Sequence, residues 1–392
     1  MSKEKKLIRI GVFLEVDPSS GGMFQYAQTL LTSLSRLDNN KYEIIAAYED
    51  DLWYPIIHKL NVLESRLKYL KIGSLISRIS MIFFLPSIVT TRMLSINPLT
   101  REMLNLNCDI WIFPAQDLQT FHMPGNVIGT IHDLMHRYEG QFPEVSSNFR
   151  YYLREYRFKN ILKNSHITLV DSVVGKNHVI ESYGASEASI KPLPYIAPQY
   201  IKNNIERADF DEHYQLPEKF IFYPAQFWDH KNHLRLIRAI KIISKSHGDI
   251  ALVLTGKKAH SYKLIMDEIK RLNLVKNIFF KGYIPDNDLR GFYKRARALV
   301  FPTFFGPTNI PPLEAIASEC VPIVSDIYGM KDQLGELALY FNPLDENEIA
   351  KKIISAWQGD DLFTSAKFFI SLDIKNNYES IHFDQLKNII EN

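Results

Sequence analysis

Residues 305–315 place a loop that can bind phosphate next to a single carboxylate, Glu314. The apolar run 298–301 precedes this loop, and two adjacent prolines suit the first turn of the helix that follows, where a missing N–H does no harm. Thr308 or Asn309 can cap that helix. Main-chain N–H groups and the positive end of the helix dipole then favour a phosphate, and Glu314 can accept two hydrogen bonds from a ribose diol. The pattern predicts a nucleotide-sugar site, although an ordinary capped helix with a solvated glutamate contains the same residues.

A second candidate is Lys231, in the loop between the predicted strand 220–226 and an amphipathic helix. The helix dipole slightly disfavours a cation at this end, and a bound anion would remove that cost. The alternative is a solvated surface lysine. His230 and His233 lie in the same loop, but no third ligand has the spacing of a metal site.

Two loops in the first half of the chain also follow predicted strands. His132 ends the strand 125–132 and can donate a hydrogen bond to a hydroxyl or a developing oxyanion, although most single histidines are structural. Gly21 and Gly22 follow the first strand and allow close approach of a ligand, but a plain tight turn explains them equally well. Their spacing is not that of the Gly-x-Gly-x-x-Gly pattern, which argues against NAD.

The sequence predicts no metal and no cofactor. Asp286 and Asp288 form an Asp-x-Asp pattern of the kind that holds a divalent ion on a nucleotide sugar. They open the predicted helix 289–296, where aspartate in the cap and first turn is expected. We therefore interpret them as helix-start residues.

Strands and helices alternate along most of the chain, which predicts two doubly wound α/β domains. The predicted strands are 8–16, 42–49, 108–115, 125–132 and 166–172 in the first half, and 220–226, 250–255, 277–283, 298–302, 321–325 and 338–342 in the second. The proline-containing stretch 193–200 and the polar run 202–215 predict the linker. Ligands bind beyond the carboxyl ends of the strands in such sheets, so all the candidate loops lie where chemistry is expected.

Composition is that of a globular protein, with 392 residues, 46% hydrophobic and 23% charged, and a net charge of +2. This near balance argues against a nucleic-acid binder. Two distant cysteines and no signal peptide indicate a reducing, cytoplasmic compartment. The apolar stretch 76–96 is interrupted by Pro86 and two arginines and is too short to span a membrane. It predicts buried helices or, as the sharper alternative, a surface that meets a membrane or a lipid-linked acceptor.

The chain resembles the retaining GT-B glycosyltransferases of glycosyltransferase family 4. Its motifs occur in the order of that family along nearly the whole chain: Gly21-Gly22, His132-Asp133, Asp171-Ser172, Lys231-Asn232, Gly256, Gly282-Tyr283, Pro311 to Ala315, and Ser325-Asp326 with Gly329. The stretches 224–233 and 305–315 resemble in particular a subgroup found in bacterial surface-polysaccharide (O-antigen or capsule) assembly.

The resemblance implies two Rossmann-like domains that face each other across a cleft. Residues 1–200 would form the acceptor side, 201–374 the donor side, and a helix at 375–392 would pack back on the first domain. The implied reaction is metal-independent transfer from a nucleoside-diphosphate sugar to a glycan hydroxyl, with a lipid-linked acceptor and peripheral contact with the inner face of the membrane as further expectations. Fixed cations and helix dipoles can stabilise a leaving diphosphate in place of a metal.

The resemblance also assigns roles. Lys231 neutralises the diphosphate, Glu314 holds the ribose, and His132 acts near the donor sugar and the incoming hydroxyl once the cleft closes. These three are the implied catalytic residues, and the implied substrate-binding residues are Gly21, Gly22, Gln226, Lys231, Gly256, Ile284, Thr308, Asn309, Ile310 and Glu314.

Two positions depart from the family pattern. The family carries two glutamates with seven residues between them, and Gly306 stands at the first position here. It also carries an arginine five residues before the lysine, where this chain has Gln226. We interpret both as an altered donor pocket. They also keep two alternatives open: a non-catalytic partner that binds nucleotide sugar or glycan, and a nucleotide-sugar epimerase.

Overall fold

The computed structural model describes residues 7–17, 21–85, 89, 96–147, 149–202 and 206–391. These residues form two compact units. Unit 1 is drawn from 1–138, 146–196 and 377–392, and unit 2 from 139–145 and 197–376. Each unit has its own parallel sheet and its own hydrophobic core, so the prediction of two doubly wound domains is confirmed.

Within the described residues, the sheet of unit 1 has seven strands in the order β3-β2-β1-β4-β5-β6-β7. All neighbouring strands are parallel. The strands are β1 (Ile8–Leu14), β2 (Tyr42–Tyr48), β3 (Leu63–Arg66), β4 (Ile110–Ile112), β5 (Asn126–Thr130), β6 (Ile167–Val170) and β7 (Ile190–Pro192). The strand order reverses between β1 and β4, which is where open α/β sheets bind ligands.

The described part of unit 2 has six parallel strands in the order β10-β9-β8-β11-β12-β13. They are β8 (Ile221–Pro224), β9 (Leu252–Thr255), β10 (Ile278–Phe280), β11 (Ala298–Phe301), β12 (Pro322–Ser325) and β13 (Leu339–Phe341). Here the order reverses between β8 and β11, which pair directly with Ala298 opposite Ile221.

Helices connect the strands and cover the sheets. They are α1 (Gly22–Leu34), α2 (Tyr54–Ile57), α3 (Leu70–Ile82), α4 (Pro98–Leu104), α5 (Met135–Tyr138), α6 (Pro143–Ser146), α7 (Arg150–Asn164), α8 (Val173–Tyr183), α9 (Gln199–Lys202), α10 (Phe210–Tyr214), α11 (His233–Ile243), α12 (Tyr262–Arg271), α13 (Asp286–Arg295), α14 (Ile310–Ala317), α15 (Met330–Leu334), α16 (Glu346–Gln358), α17 (Asp361–Asp373) and α18 (Tyr378–Glu391).

The C-terminal helix α18 packs on α1 within unit 1. Nδ1 of the buried His382 in α18 is hydrogen-bonded to the Ser33 hydroxyl of α1 at 2.9 Å. Near its end, Glu391 accepts a hydrogen bond of 2.6 Å from the Lys41 ammonium group. The last helix thus joins the core that the first helix helps to build.

The predicted linker differs from the structure. Residues 202–215 were expected to have little to bury, but Phe210 and Tyr214 lie in the core of unit 2. The ring of Phe210 is 5.4 Å from that of Phe292. Two aromatic side chains anchor this otherwise polar run, since each removes a large apolar area from water.

Helix α3 buries three serines on its inner face and exposes apolar side chains on its outer face. Ser74, Ser77 and Ser80 are buried, whereas Ile79 and Ile82 are 40% and 57% exposed. The expectation of a buried helix is therefore wrong for this outer face, and residues 86–88 and 90–95 of the apolar stretch lie outside the described residues. None of the described helices is both long and apolar enough to cross a membrane.

Candidate functional site

The two candidate catalytic residues of unit 2 follow the two central strands of its sheet. Lys231 belongs to the loop after β8, and Glu314 to α14, which follows β11. Because β8 and β11 are hydrogen-bonded neighbours, their loops meet at the point where the strand order reverses. This edge is the expected ligand site of a doubly wound sheet.

Lys231 ends a single 3-10 turn, Asp229–Lys231, whose main chain is tightly held. Its carbonyl accepts a hydrogen bond of 2.6 Å from the Tyr223 hydroxyl. The next residue, Asn232, has a left-handed φ of 58°, and its buried amide donates to the carbonyls of Pro302 at 3.0 Å and Pro343 at 2.9 Å. These bonds tie the lysine loop to the loops after β11 and β13. The ammonium group of Lys231 lies 5.2 Å from the centre of the Phe301 ring.

Helix α14 begins as predicted, with proline in its first turn and Asn309 at the N-cap. The predicted side-chain cap is wrong for Asn309, because its amide donates to the Phe305 carbonyl at 3.1 Å instead. The main-chain N–H of Asn309 donates to Oε1 of Gln333 at 3.0 Å. A ligand phosphate at this N–H would therefore have to replace the Gln333 side chain.

Glu314 is 4% exposed, and both of its carboxylate oxygens accept hydrogen bonds from tyrosine hydroxyls. Tyr200 donates to Oε1, and Tyr293 donates to Oε2 at 2.7 Å. Burial raises the pKa of Glu314 to about 7, against the two tyrosine hydrogen bonds, and the charge of Asp286 adds to the rise. Each carboxylate oxygen has a second lone pair, so the group can still accept from a ribose hydroxyl.

The two departures from the family pattern are accommodated locally. Gly306 has a φ of 96°, and a Cβ atom there would lie 2.7 Å from the carbonyl oxygen of Thr308. A longer side chain does not fit this turn without a shift of the main chain. Gln226 accepts a hydrogen bond of 2.9 Å from the indole N–H of Trp228. Gly306 thus allows the tight turn before α14, and Gln226 makes a hydrogen bond within the loop after β8.

Gly256 and Ile284 follow β9 and β10. Gly256 has a φ of 128°, and a Cβ atom there would lie 2.4 Å from the carbonyl oxygen of Ala225, so only glycine allows these two loops to touch. The Ile284 side chain is 4% exposed and belongs to the hydrophobic core of unit 2. Its side chain therefore packs inside the unit.

The aspartates of the Asp-x-Asp pattern lie in the first turn of α13, as expected. Asp288 is buried and accepts a hydrogen bond of 2.6 Å from the Tyr214 hydroxyl. In the same unit, His233 stacks on the Phe227 ring at 4.5 Å. Across the described ranges, no group of three or more histidine, cysteine, aspartate or glutamate side chains could hold a metal ion.

In unit 1, Gly21 has a φ of 63° and directly precedes α1. A Cβ atom at Gly21 would meet nothing within 4 Å, so the backbone conformation alone selects glycine here. Gly22 is the exposed first residue of that helix. Both residues follow β1, a central strand of the sheet.

His132 follows β5 in unit 1 and is 9% exposed. Its Nδ1 lies 3.0 Å from the Tyr195 hydroxyl, and its ring meets the Tyr26 ring edge-on at 5.0 Å. Burial lowers the pKa of His132 to about 4, although the charge of Asp133 opposes the shift. His132 is therefore a neutral imidazole at pH 7. The carboxylate of Asp133 accepts from the Met135 N–H at 3.0 Å, which caps the next turn as expected.

Sequence reasoning missed the residues that hold the candidate groups in place. Tyr200 lies in the predicted linker, Tyr293 lies inside a helix, and Gln333 reaches Asn309 from α15. None of them belongs to a local motif, because each acts across a long stretch of sequence. Only the left-handed position of Asn232 could have been suspected, since asparagine tolerates that conformation.

Comparison with known proteins finds glycosyltransferases among those similar to this chain. The profile of the family described as "Glycosyl transferases group 1" matches residues 204–366. The chain is 24% identical over 388 residues to the O-antigen chain mannosyltransferase RfbU of Salmonella typhimurium. This match covers 95% of this chain and 96% of that protein. It is 22% identical over 254 residues to the O-antigen chain mannosyltransferase B of Escherichia coli, covering 64% of this chain and 66% of that protein.

Solved structures share the fold of the whole chain. The sucrose-phosphate synthase of Thermosynechococcus elongatus has a TM-score of 0.71 at 16% identity, covering 98% of this chain and 99% of that one. Anabaena Alr3699/HepE in complex with UDP-glucose has a TM-score of 0.71 at 12% identity, again covering 98% and 99%. At these identities the similarity establishes the architecture only.

Proposed function

We propose, from the premise that this chain is a glycosyltransferase of the GT-B fold that resembles O-antigen transferases, that it transfers a sugar from a nucleoside-diphosphate donor to a glycan hydroxyl with retention and without a metal. The observation that carries the proposal is that Lys231 and Glu314 follow two neighbouring strands, β8 and β11, beyond their carboxyl ends. The similarity to proteins named O-antigen mannosyltransferases supports a role in surface-polysaccharide synthesis and makes mannose the first donor sugar to test.

Lys231 binds the donor diphosphate. The hydrogen bonds of Tyr223 and Asn232 fix the main chain from which the lysine side chain extends. A positioned cation at a leaving diphosphate stabilises charge that grows in the transition state. The first turn of α14, which follows the neighbouring strand β11, adds the positive end of a helix dipole.

Glu314 recognises the ribose of the donor. Its carboxylate is held by Tyr200 and Tyr293, which leaves one lone pair on each oxygen for a ribose hydroxyl. Gly306 replaces the other family glutamate, so the contact that this glutamate makes with the donor sugar is absent from this pocket. Gly256 keeps the loops after β8 and β9 in contact beside the donor.

His132 acts from unit 1 as a neutral hydrogen-bonding group at the reacting centre. Its Nδ1 is engaged by Tyr195, which fixes the ring, and its Nε2 is buried with no hydrogen bond among the described residues. A buried, oriented imidazole can donate to a hydroxyl of the donor sugar or the acceptor. Its depressed pKa keeps it from acting as a cationic acid at pH 7.

The acceptor is lipid-linked, and the protein meets the membrane through the outer face of α3. On this face and directly beside the helix, the exposed side chains are apolar at Ile72, Leu75, Ile79, Ile82 and Phe83 and basic at Lys68, Lys71 and Arg78. Apolar residues flanked by cations favour the surface of an anionic bilayer.

Flotation with phosphatidylglycerol vesicles and with phosphatidylcholine vesicles tests this contact. We expect binding to the anionic vesicles, and loss of binding in the double variant Ile79→Ser and Ile82→Ser. Leu372→Ser, which removes an exposed leucine from α17 of unit 2, is the matched control. Equal flotation of the wild type and the double variant would contradict the assignment of α3.

The reaction is tested by incubating the pure protein with nucleoside-diphosphate hexoses, GDP-mannose first, and a glycan acceptor, with and without a chelator. We expect sugar transfer with the anomeric configuration of the donor retained, and equal rates in both conditions. Release of an isomerised nucleotide sugar without acceptor would identify an epimerase instead. Binding of donor without transfer or hydrolysis would identify a non-catalytic partner.

A further inference from the structure

Residues 139–145 lie between two stretches of unit 1 in the sequence but group with unit 2. They contact the loops after three adjacent strands of its sheet. Glu139 accepts a hydrogen bond from Tyr328 after β12, the Phe142 ring is 5.4 Å from Phe304 after β11, and Glu144 contacts His230 after β8. Residues 139–145 therefore lie at the carboxyl ends of the unit 2 strands, where the proposed donor site is.

The contact with His230 is the most specific of the three. Oε1 of Glu144 accepts the main-chain N–H of His230 at 2.9 Å and also contacts Nδ1 of its ring. The imidazole stacks on the Phe305 ring, with centroids 3.9 Å apart and planes 18° apart. Both side chains of the Glu144–His230 pair are 11% exposed. The carboxylate thus fixes the main chain and the side chain of one residue at once.

The carboxylate of Glu144 is ionised at neutral pH. Burial alone would raise the pKa of Glu144, but the hydrogen bonds from the side chain and main chain of His230 outweigh it and lower that pKa to about 2. An ionised acceptor makes a hydrogen bond roughly twice as strong as a neutral one.

His230 also links the two loops of the proposed diphosphate site. It is the middle residue of the turn Asp229–Lys231, and its carbonyl accepts the Phe304 N–H at 2.9 Å. A shift of His230 would therefore move Lys231 and the loop after β11 together. By holding His230 in place, the Glu144 carboxylate also determines the position of Lys231.

We propose that Glu144 is a positioning residue of the donor site, which holds Lys231 in place through His230. The proposal rests on the proposed function, in which Lys231 binds the diphosphate of the donor. Glu144 itself needs no contact with the substrate. Its effect on binding must then pass through Lys231, which a merely structural contact would not require.

A double-mutant cycle with full-length protein tests this route. The dissociation constants of GDP and UDP are measured at pH 7 for the wild type, Glu144→Gln, Lys231→Ala and the double variant. We expect Glu144→Gln to weaken binding of the nucleotide that the wild type binds better by about fivefold to twentyfold, Lys231→Ala to weaken it more, and the double variant to bind no worse than Lys231→Ala alone. Glu102→Gln is the matched control, because Glu102 accepts the main-chain N–H groups of Lys68 and Tyr69 in unit 1.

Each failure has its own signature. Unchanged binding in Glu144→Gln, or losses that multiply in the double variant, overturns the proposal while the diphosphate site stands. Unchanged binding in Lys231→Ala, or no binding of either nucleotide by the wild type, overturns the diphosphate site and this proposal with it. Circular dichroism checks the fold of each variant, and Glu144→Asp, which keeps the charge but shortens its reach, enters the same cycle if Glu144→Gln does not fold.

Discussion

The hydroxyl of Tyr293 on α13 donates a hydrogen bond of 2.7 Å to the carboxylate of Glu314 on α14, and both side chains are buried. The tyrosine favours the charged carboxylate, while burial opposes it and raises the pKa of Glu314 to about 7. The proposed ribose-binding group therefore changes charge near neutral pH, which makes its role open to measurement.

Nucleotide affinity should rise with pH because of Glu314. The ionised carboxylate is the better acceptor for ribose hydroxyls, so GDP or UDP should bind more tightly at pH 8 than at pH 6. Glu314→Gln should bind more weakly at pH 8 and lose this part of the pH dependence. Calorimetric titration of both proteins separates it from titration of the phosphates, which is common to the two.

Tyr293→Phe sharpens the same prediction. Removing the hydroxyl takes away a bond that stabilises the charged carboxylate, so the pH at which affinity rises should move upward. Identical pH profiles of the wild type, Tyr293→Phe and Glu314→Gln would show that Glu314 has no contact with the nucleotide.

Stability should carry the opposite pH dependence at this residue. The folded protein binds the Glu314 proton more tightly than the unfolded chain, whose glutamates have a pKa of about 4.3. Between that value and about 7, the contribution of Glu314 to the free energy of unfolding falls as the pH rises. The Tm of Glu314→Gln, relative to the wild type, should therefore be higher at pH 8 than at pH 5. A constant difference would contradict the raised pKa.

Lys231→Ala should lower turnover on the order of 10²- to 10³-fold without unfolding the protein, because it removes a cation from the leaving diphosphate. Lys219→Ala is the matched control. Lys219 precedes the same strand, β8, and also lies over an aromatic ring, with its ammonium 4.4 Å from the centre of Trp357. Steady-state rates and Tm are measured for both. Near-normal turnover in Lys231→Ala would remove Lys231 from the site.

The sequence predicts the architecture well because most strands have a local signal. The short apolar runs at β1, β8 and β11 are bounded by polar or turn residues, and their order alone yields two parallel sheets. β3 was missed because Leu63–Arg66 has no apolar alternation, and β7 because Ile190–Pro192 is only three residues long.

The candidate site was predictable only in part. Lys231 and Glu314 were found because turn residues, helix starts and strand ends mark their loops. The partners of these residues were not, since Tyr200 contacts Glu314 across 114 positions and Glu144 contacts His230 across 86. Such pairings depend on the topology of the sheet, which no local pattern encodes.

Gly306→Glu tests whether the altered donor pocket can be reverted. The φ of 96° and the nearby Thr308 carbonyl leave no room for a side chain, so we expect a loss of about 1–3 kcal/mol in stability and no gain in activity. Gly282→Ala is the control for strain alone, because its φ is 75° and its Cβ would meet no atom within 4 Å. A stable, more active Gly306→Glu would show that the loop adapts to the family residue. Thermal unfolding and transfer rates decide the outcome.

His132→Ala should lower kcat strongly and leave nucleotide affinity nearly unchanged. The residue belongs to unit 1, whereas Lys231 and Glu314 belong to unit 2, so its proposed contact is made in the reacting complex and not in nucleotide binding. Because its pKa is about 4, the wild-type rate should show no step from this imidazole between pH 6 and 8. Tyr195→Phe, which removes the hydroxyl at Nδ1, should give a smaller loss of kcat.

His178→Ala is the control for the loss of a buried histidine from unit 1. His178 lies in α8, and its ring stacks on that of Tyr138 with the centroids 3.8 Å apart. Comparable Tm changes in His132→Ala and His178→Ala, with a fall in kcat confined to the first, would assign His132 to the chemistry. Full kcat in His132→Ala would instead make His132 a core residue, held by the contact of its Nδ1 with Tyr195 and by packing of its ring on Tyr26.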